Sequence, residues 1–135
     1  MKSAIVLAAG KGTRMKSALN KVMHPVLNKP MIGHIVDTLQ ECGVERIVVV
    51  VGHGADSVKE YLQDRVEYAV QEPQLGTGHA VMQATMLEGL SGDTIVLNGD
   101  GPCIQKETIL KAFESNANHA CTVLTSVLES GAQYG

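Results

Sequence analysis

Leu7-Ala8-Ala9-Gly10-Lys11-Gly12-Thr13-Arg14-Met15 continues directly from the apolar run Ala4 to Leu7. A short apolar run that stops at glycines reads as a buried strand with a sharp turn at its carboxyl end. Gly10 and Gly12 are expected to take left-handed dihedrals there and bring bare amides close to a ligand. Lys11 and Arg14 supply cations to the same space. Such a turn suits a polyphosphate. The spacing is neither the G-x-G-x-x-G of dinucleotide folds nor the G-x-x-x-x-G-K-[ST] of P-loops, and a plain strand-to-helix turn is the alternative reading of the two glycines.

Outward from this stretch, strand and helix patterns alternate. Ala4 to Leu7, Ile47 to Val51, Val66 to Val70, Thr94 to Leu97 and Cys121 to Val127 are short apolar runs rich in β-branched residues, as buried parallel strands are. Between them, Met31, Ile32, Ile35, Val36, Leu39 and Cys42 fall on one helical face, with Pro30 at its start and Gly43 at its end. Ala55, Val58 and Leu62 form a second face, Ala80, Ala84 and Leu87 a third, and Ile109, Leu110 and Phe113 a fourth. This β-α-β-α order predicts an α/β fold: a Rossmann-like, mostly parallel sheet with helices on both faces. Ligands of such sheets bind beyond the carboxyl ends of the strands, where the strand order reverses. The three unusual loops, 8–29, 71–77 and 99–102, all follow strands and are expected to converge there.

Composition narrows the class. With 135 residues, 44% apolar and 19% charged, the chain is expected to form one soluble domain, or part of one. No apolar stretch reaches the roughly 18 residues of a membrane span and no leader is recognisable, so a cytoplasmic protein without a membrane partner is expected. Cys42, Cys103 and Cys121 are odd in number and widely spaced, which supports neither a disulfide framework nor a zinc site. Net charge is −3, but residues 1–36 carry six cations and no carboxylate, while the remainder holds five cations against fourteen carboxylates. The basic segment is the one with the glycine turn, which fits a patch for an anionic ligand better than a solvated charged face. Nucleic acid is a poor partner, because the few aromatics are not interleaved with the basic residues.

Two further loops carry chemistry. In Gln71-Glu72-Pro73-Gln74-Leu75-Gly76-Thr77-Gly78-His79-Ala80, Gln71 and Gln74 each offer a donor and an acceptor, which reading a base edge requires, and Thr77 is expected to cap a helix. A polar loop leading to a capped helix is the alternative. In Asn98-Gly99-Asp100-Gly101-Pro102, Asp100 stands at a strand end between glycines, suited either to a phosphate-bound Mg²⁺ or to a turn. Lys21, among apolar neighbours late in the basic loop, reads either as a phosphate contact or as a surface charge. The histidines form no ligand-spaced cluster, and no nucleophile-and-base pair is recognisable.

Four segments in order, 7–15, Lys21-Val22-Met23-His24, 71–80 and 99–102, resemble the sugar-phosphate nucleotidyltransferases. The specific likeness is to the uridylyltransferase half of the bifunctional N-acetylglucosamine-1-phosphate uridylyltransferase/glucosamine-1-phosphate acetyltransferase family. The resemblance implies a nucleotide-diphospho-sugar transferase fold. It also implies a Mg²⁺-dependent reaction of UTP with N-acetylglucosamine 1-phosphate, giving UDP-N-acetylglucosamine and pyrophosphate for cell wall peptidoglycan synthesis. By that resemblance the backbone of Leu7, Ala8, Ala9 and Gly10, with Gln71, Gly76 and Thr77, would hold uridine. Lys11 and Arg14 would lie along the triphosphate, Arg14 and Lys21 would be catalytic, and Gln74 would order the pocket. Asp100 would ligate Mg²⁺, and Gly135 would contact the sugar nucleotide. Gly101 and Cys103 depart from the family pattern around Asp-x-Pro, and residues 129–135 follow its Asp-Pro-x-Gly-Tyr-Gly-Arg run only in part.

In that family a later part of the same domain supplies further sugar and metal ligands, and a β-helix acetyltransferase domain follows. Residues 1–135 are therefore expected to be the N-terminal part of a nucleotidyltransferase domain with impaired activity, holding the UTP side of the site and no β-helix. The alternative is a non-catalytic uridine-nucleotide-binding or assembly module that forms a homo-oligomer through an unfinished sheet edge. A dinucleotide-binding dehydrogenase is disfavoured by the missing third glycine.

Overall fold

The computed structural model describes residues 1–10, 18–52 and 54–127. In chain order, strand β1 (Lys2–Ala8) is followed by a 3₁₀ turn at Lys21–Met23 and a two-strand ribbon, β2 (Pro25–Val26) and β3 (Lys29–Pro30). Helix α1 (Met31–Glu41), β4 (Arg46–Val51), α2 (Ala55–Leu62), β5 (Glu67–Val70), α3 (Thr77–Met82), β6 (Asp93–Asn98) and α4 (Lys106–Asn116) complete the order.

Four strands make one parallel sheet in the order β5-β4-β1-β6. The chain winds outward from β1 through β4 to β5, then returns to pair β6 against the other side of β1, with Val6 opposite both Val49 and Leu97. The order reverses between β1 and β6, where an open α/β sheet leaves a crevice. Burial follows the pleat. Val6 and Ala8 of β1 and Val49 and Val51 of β4 pack under α1, α2 and α4, whereas Ile5, Val48, Val50 and Ala69 face the other way, onto Ala80 and Ala84. Helices on both faces of a parallel sheet are thus as the alternation predicts.

Helix α1 buries Ile32, Ile35, Val36 and Leu39 completely and ends where expected. Gly43, at φ +70°, donates to the Gln40 carbonyl while Val44 donates to that of Leu39, a Schellman closure that the left-handed glycine makes possible. Across the sheet, Arg46 grips Glu67 through Nε to Oε1 at 2.8 Å and Nη2 to Oε2 at 2.6 Å, and gives Nη1 to the Met86 carbonyl at 3.0 Å. This fork ties β4, β5 and the segment after α3 together, and the Arg46 hydrogen bonds hold the Glu67 carboxyl below its usual range.

Four expectations are corrected. Residues 121–127 form no strand, and Val123, Leu124 and Val127 stand exposed. A β-branched run fits a pleated surface only where a neighbour offers one, and no described strand pairs with this segment. The third helix is short: the His79 carbonyl is taken by the Gln83 side chain at 2.9 Å, the Gln83 amide tightens to Ala80, and a 3₁₀ turn at Thr85–Leu87 follows. Thr77 is the first residue of α3 rather than its cap, because Gly76 occupies the cap position and no side chain satisfies the end. Leu110 faces outward, and α4 packs instead through Ile109 and Phe113, one helical turn apart. Among the described residues no helix is long and apolar enough to cross a membrane.

Candidate functional site

The three loops converge as predicted. A cavity of about 500 Å³ opens at the carboxyl end of the sheet, walled by Leu7 to Gly10 on one side and Gln71 to Thr77 on another. Lys21, Val22, Asn98 and Asp100 close it at the β1/β6 crevice.

The β1 wall is backbone. Leu7 and Ala8 end the strand, and Ala9 is buried while Gly10 is exposed. Gly10 does not use the left-handed dihedrals open to glycine, and among the described residues a Cβ there would meet nothing within 4 Å. Lys11, Gly12, Arg14 and Gly135 lie outside the described residues. Gly99 fits because its N–H reaches the Leu7 carbonyl at 2.8 Å, and a Cβ would sit 2.8 Å from that same oxygen. The close approach brings the Asp100 loop against β1.

Lys21 is aimed by its turn. Asn20 caps the 3₁₀ segment by accepting from the Val22 amide at 3.2 Å, and Val22, 4% exposed, anchors it in the core. The Lys21 side chain therefore points along the cavity, where Nζ meets Asp100 Oδ2 at 2.5 Å. Lys21 thus lines the cavity with its ammonium on Asp100. Both partners remain 39% exposed, within reach of a solvent-borne ligand.

The third wall is set by glutamines. Gln74 donates its side-chain amide to the Ala9 carbonyl, stitching this loop to the β1 turn. Gly52 lies beneath them, where a Cβ would come 2.9 Å from Gln74 Nε2. Gln71 is 5% exposed and its Nε2 donates to the Gly76 carbonyl at 3.0 Å. Gly76 needs to be glycine, at φ +106°.

Sequence reasoning passed over two features of this wall. His79, weighed only as a metal ligand, brings its Nδ1 within 3.1 Å of Gln71 Nε2. Asn98, the last residue of β6, lines the cavity beside Asp100. The eight-residue interval from Gln71 to His79, across a glycine turn into a helix, was the available signal.

Among the described residues Asp100 is the one carboxylate lining this cavity, and no group of three or more His, Cys, Asp or Glu could hold a metal. One carboxylate suits Mg²⁺ that arrives with phosphate oxygens of its own, and does not suit a resident ion in a protein cage.

This fold is shared by nucleotidyl transferases. A nucleotidyl transferase from Methanothermobacter thermautotrophicus superimposes with a TM-score of 0.70 at 25% identity, over 84% of this chain and 57% of that one. A Mycobacterium tuberculosis protein solved in complex with manganese shares the fold alone, with a TM-score of 0.70 at 18% identity, over 85% of this chain and 59% of that one. The chain itself belongs to the MobA-like NTP transferase domain family, which it matches over residues 4–134. Among its relatives, the bifunctional protein GlmU of an Exiguobacterium species is 54% identical across 98% of this chain. The chain spans 30% of that relative's length.

Proposed function

We propose that the cavity binds UTP with Mg²⁺ and serves uridylyl transfer to N-acetylglucosamine 1-phosphate. The observation that carries this reading is the meeting of Lys21 and Asp100 at 2.5 Å in the crevice between β1 and β6. A cation and a lone acid at one point match a triphosphate and its metal, and the 54% identity to a GlmU supports the particular sugar and nucleotide.

In this mechanism the backbone of Leu7 to Gly10 and the side chain of Gln71, with Gly76 and Thr77, receive the uridine. Gln74 holds the base-side loop to Ala9. Lys21, with Lys11 and Arg14, neutralises phosphate charge, and Asp100 would hold Mg²⁺ together with phosphate oxygens, where the bound ion would supply further charge stabilisation. An oxygen of the sugar phosphate attacks the α-phosphorus of UTP, a new P–O bond forms, and the bond to the β-phosphate oxygen breaks. The nucleophile is already ionised, so no general base is needed and the protein's work is alignment and charge stabilisation. Gly135 would contact the sugar nucleotide. Pyrophosphate exchange into UTP, assayed with and without Mg²⁺, tests this reading, and absence of exchange together with absence of UTP binding would remove it.

A second reading has one observation in its favour. Among the described strands β6 lies at an edge of the sheet, and Thr94, Val96 and Asn98 on one of its faces are exposed. An unpaired parallel edge of this kind supports a nucleotide-binding module that assembles with a second copy. A stable oligomer in solution that binds UTP without pyrophosphate exchange would favour it.

A further inference from the structure

His79 lies at the third position of α3, with its imidazole between two glutamine amides. Gln71 Nε2 is 3.1 Å from Nδ1, and Gln83 Nε2 is 3.3 Å from Nε2. A neutral imidazole has one acceptor nitrogen, so only one of these approaches is a hydrogen bond to the ring. Each glutamine has one other acceptor, the His79 carbonyl at 2.9 Å for Gln83 and the Gly76 carbonyl at 3.0 Å for Gln71, so distance decides. Gln71 makes the closer approach to the ring, which assigns Nδ1 as the acceptor and Nε2 as the protonated nitrogen.

The consequence falls on Gln71. The Gly76 carbonyl at 3.0 Å is an acceptor without ambiguity, and Nδ1 of His79 takes the second N–H. Both hydrogens of the Gln71 amide are committed to protein, and no described group donates to its Oε1. An amide held this way offers a ligand only an acceptor. Without an acceptor at the position of Nδ1, one N–H would be free and the amide could present a donor.

We propose that His79 sets base selectivity as a positioning residue: by holding both N–H groups of Gln71 inward, it makes the cavity select a pyrimidine whose ring nitrogen carries a proton. This rests on the reading that Gln71 meets the base. Uracil offers an N3–H to an acceptor, whereas cytosine offers a bare N3 that would face oxygen against a lone pair. A mismatch of that kind leaves a buried polar group without a partner, which is where pyrimidine discrimination is strongest.

The test is the ratio of UTP to CTP affinity, measured by titration calorimetry on the protein and three variants. His79→Phe keeps the ring shape and removes the acceptor, and should lower the UTP preference by roughly tenfold, the scale of one matched hydrogen bond in a buried site. His79→Asn places an amide oxygen where Nδ1 stood and should restore the preference. A His79→Phe variant that weakens both nucleotides equally, or neither, would overturn the proposal. If Gln71→Leu leaves the ratio unchanged, the base assignment itself falls and the role of His79 falls with it. A ratio that responds to Gln71→Leu but not to His79→Phe would overturn only the role of His79.

Discussion

Lys21 and Asp100, separated by 79 residues in sequence, meet at 2.5 Å with each side chain 39% exposed. An ion pair so open to solvent adds little to stability, about 0–1 kcal/mol, so its position at the β1/β6 crevice needs another explanation. Under the proposed function each partner would be a placeholder for the other's ligand: the ammonium would stand where a cation binds the acid, and the carboxylate where a phosphate binds the lysine.

Competition of that kind has a measurable result. Lys21→Met frees the Asp100 carboxylate, so manganese alone, followed by electron paramagnetic resonance, should bind about fivefold more tightly than to the unaltered protein. The same substitution should weaken UTP binding. Tighter UTP binding by the variant would contradict the assignment of Lys21 to phosphate.

In a chain extended to full domain length, Lys21→Ala should cost roughly 2–4 kcal/mol of transition-state stabilisation, the scale of one preorganised charge contact. Near-normal turnover in steady-state assays would remove Lys21 from catalysis.

Two neighbouring glycines should behave oppositely. A Cβ on Gly99 would lie 2.8 Å from the Leu7 carbonyl and 2.9 Å from Val22 Cγ1, so Gly99→Ala should lose about 1–3 kcal/mol in urea unfolding. At Gly101 the nearest atom would be 3.8 Å away, and Gly101→Ala should stay within about 0.5 kcal/mol.

How far these features could be read in advance depended on what each needs. The buried runs 4–7 and 47–51 needed only a sheet to sit in, and their continuous apolar character settled strand and parallel pairing together. Residues 121–127 share the β-branched character, with Thr122, Val123, Thr125 and Val127, but have no described partner, and a strand is a property of pairs. Lys21 and Asp100 were visible one at a time as ambiguous residues. Their encounter depends on Val22 anchoring one loop and Gly99 bringing in the other, which no local pattern contains. For His79 the spacing told only that it joins no ligand-spaced histidine cluster, while its contact with Gln71 is made across a turn that no local pattern contains.

Acid should loosen the sheet edge and the ties of α1 to Lys29 and Arg65. Glu67 is held below its usual range by the Arg46 hydrogen bonds. Burial raises the Asp37 carboxyl, but the hydrogen bonds from Lys29 and Arg65 outweigh it and the net direction is down. A carboxyl lowered in the folded state contributes stability above its unfolded value and loses it as pH falls through the folded one. Urea midpoints should therefore drop on acidification below about pH 4, and Glu67→Gln should flatten part of that drop.

The most direct measurement is UTP titration calorimetry with Mg²⁺ and again with EDTA, on the unaltered protein and on Asp100→Asn. If cations and a lone acid share one triphosphate-and-magnesium gap, removing the metal should weaken UTP by at least about tenfold in the unaltered protein, while the variant should bind weakly and respond little to Mg²⁺. UTP affinity indifferent to Mg²⁺, or an Asp100→Asn variant that responds to it as fully as the unaltered protein does, would contradict the account.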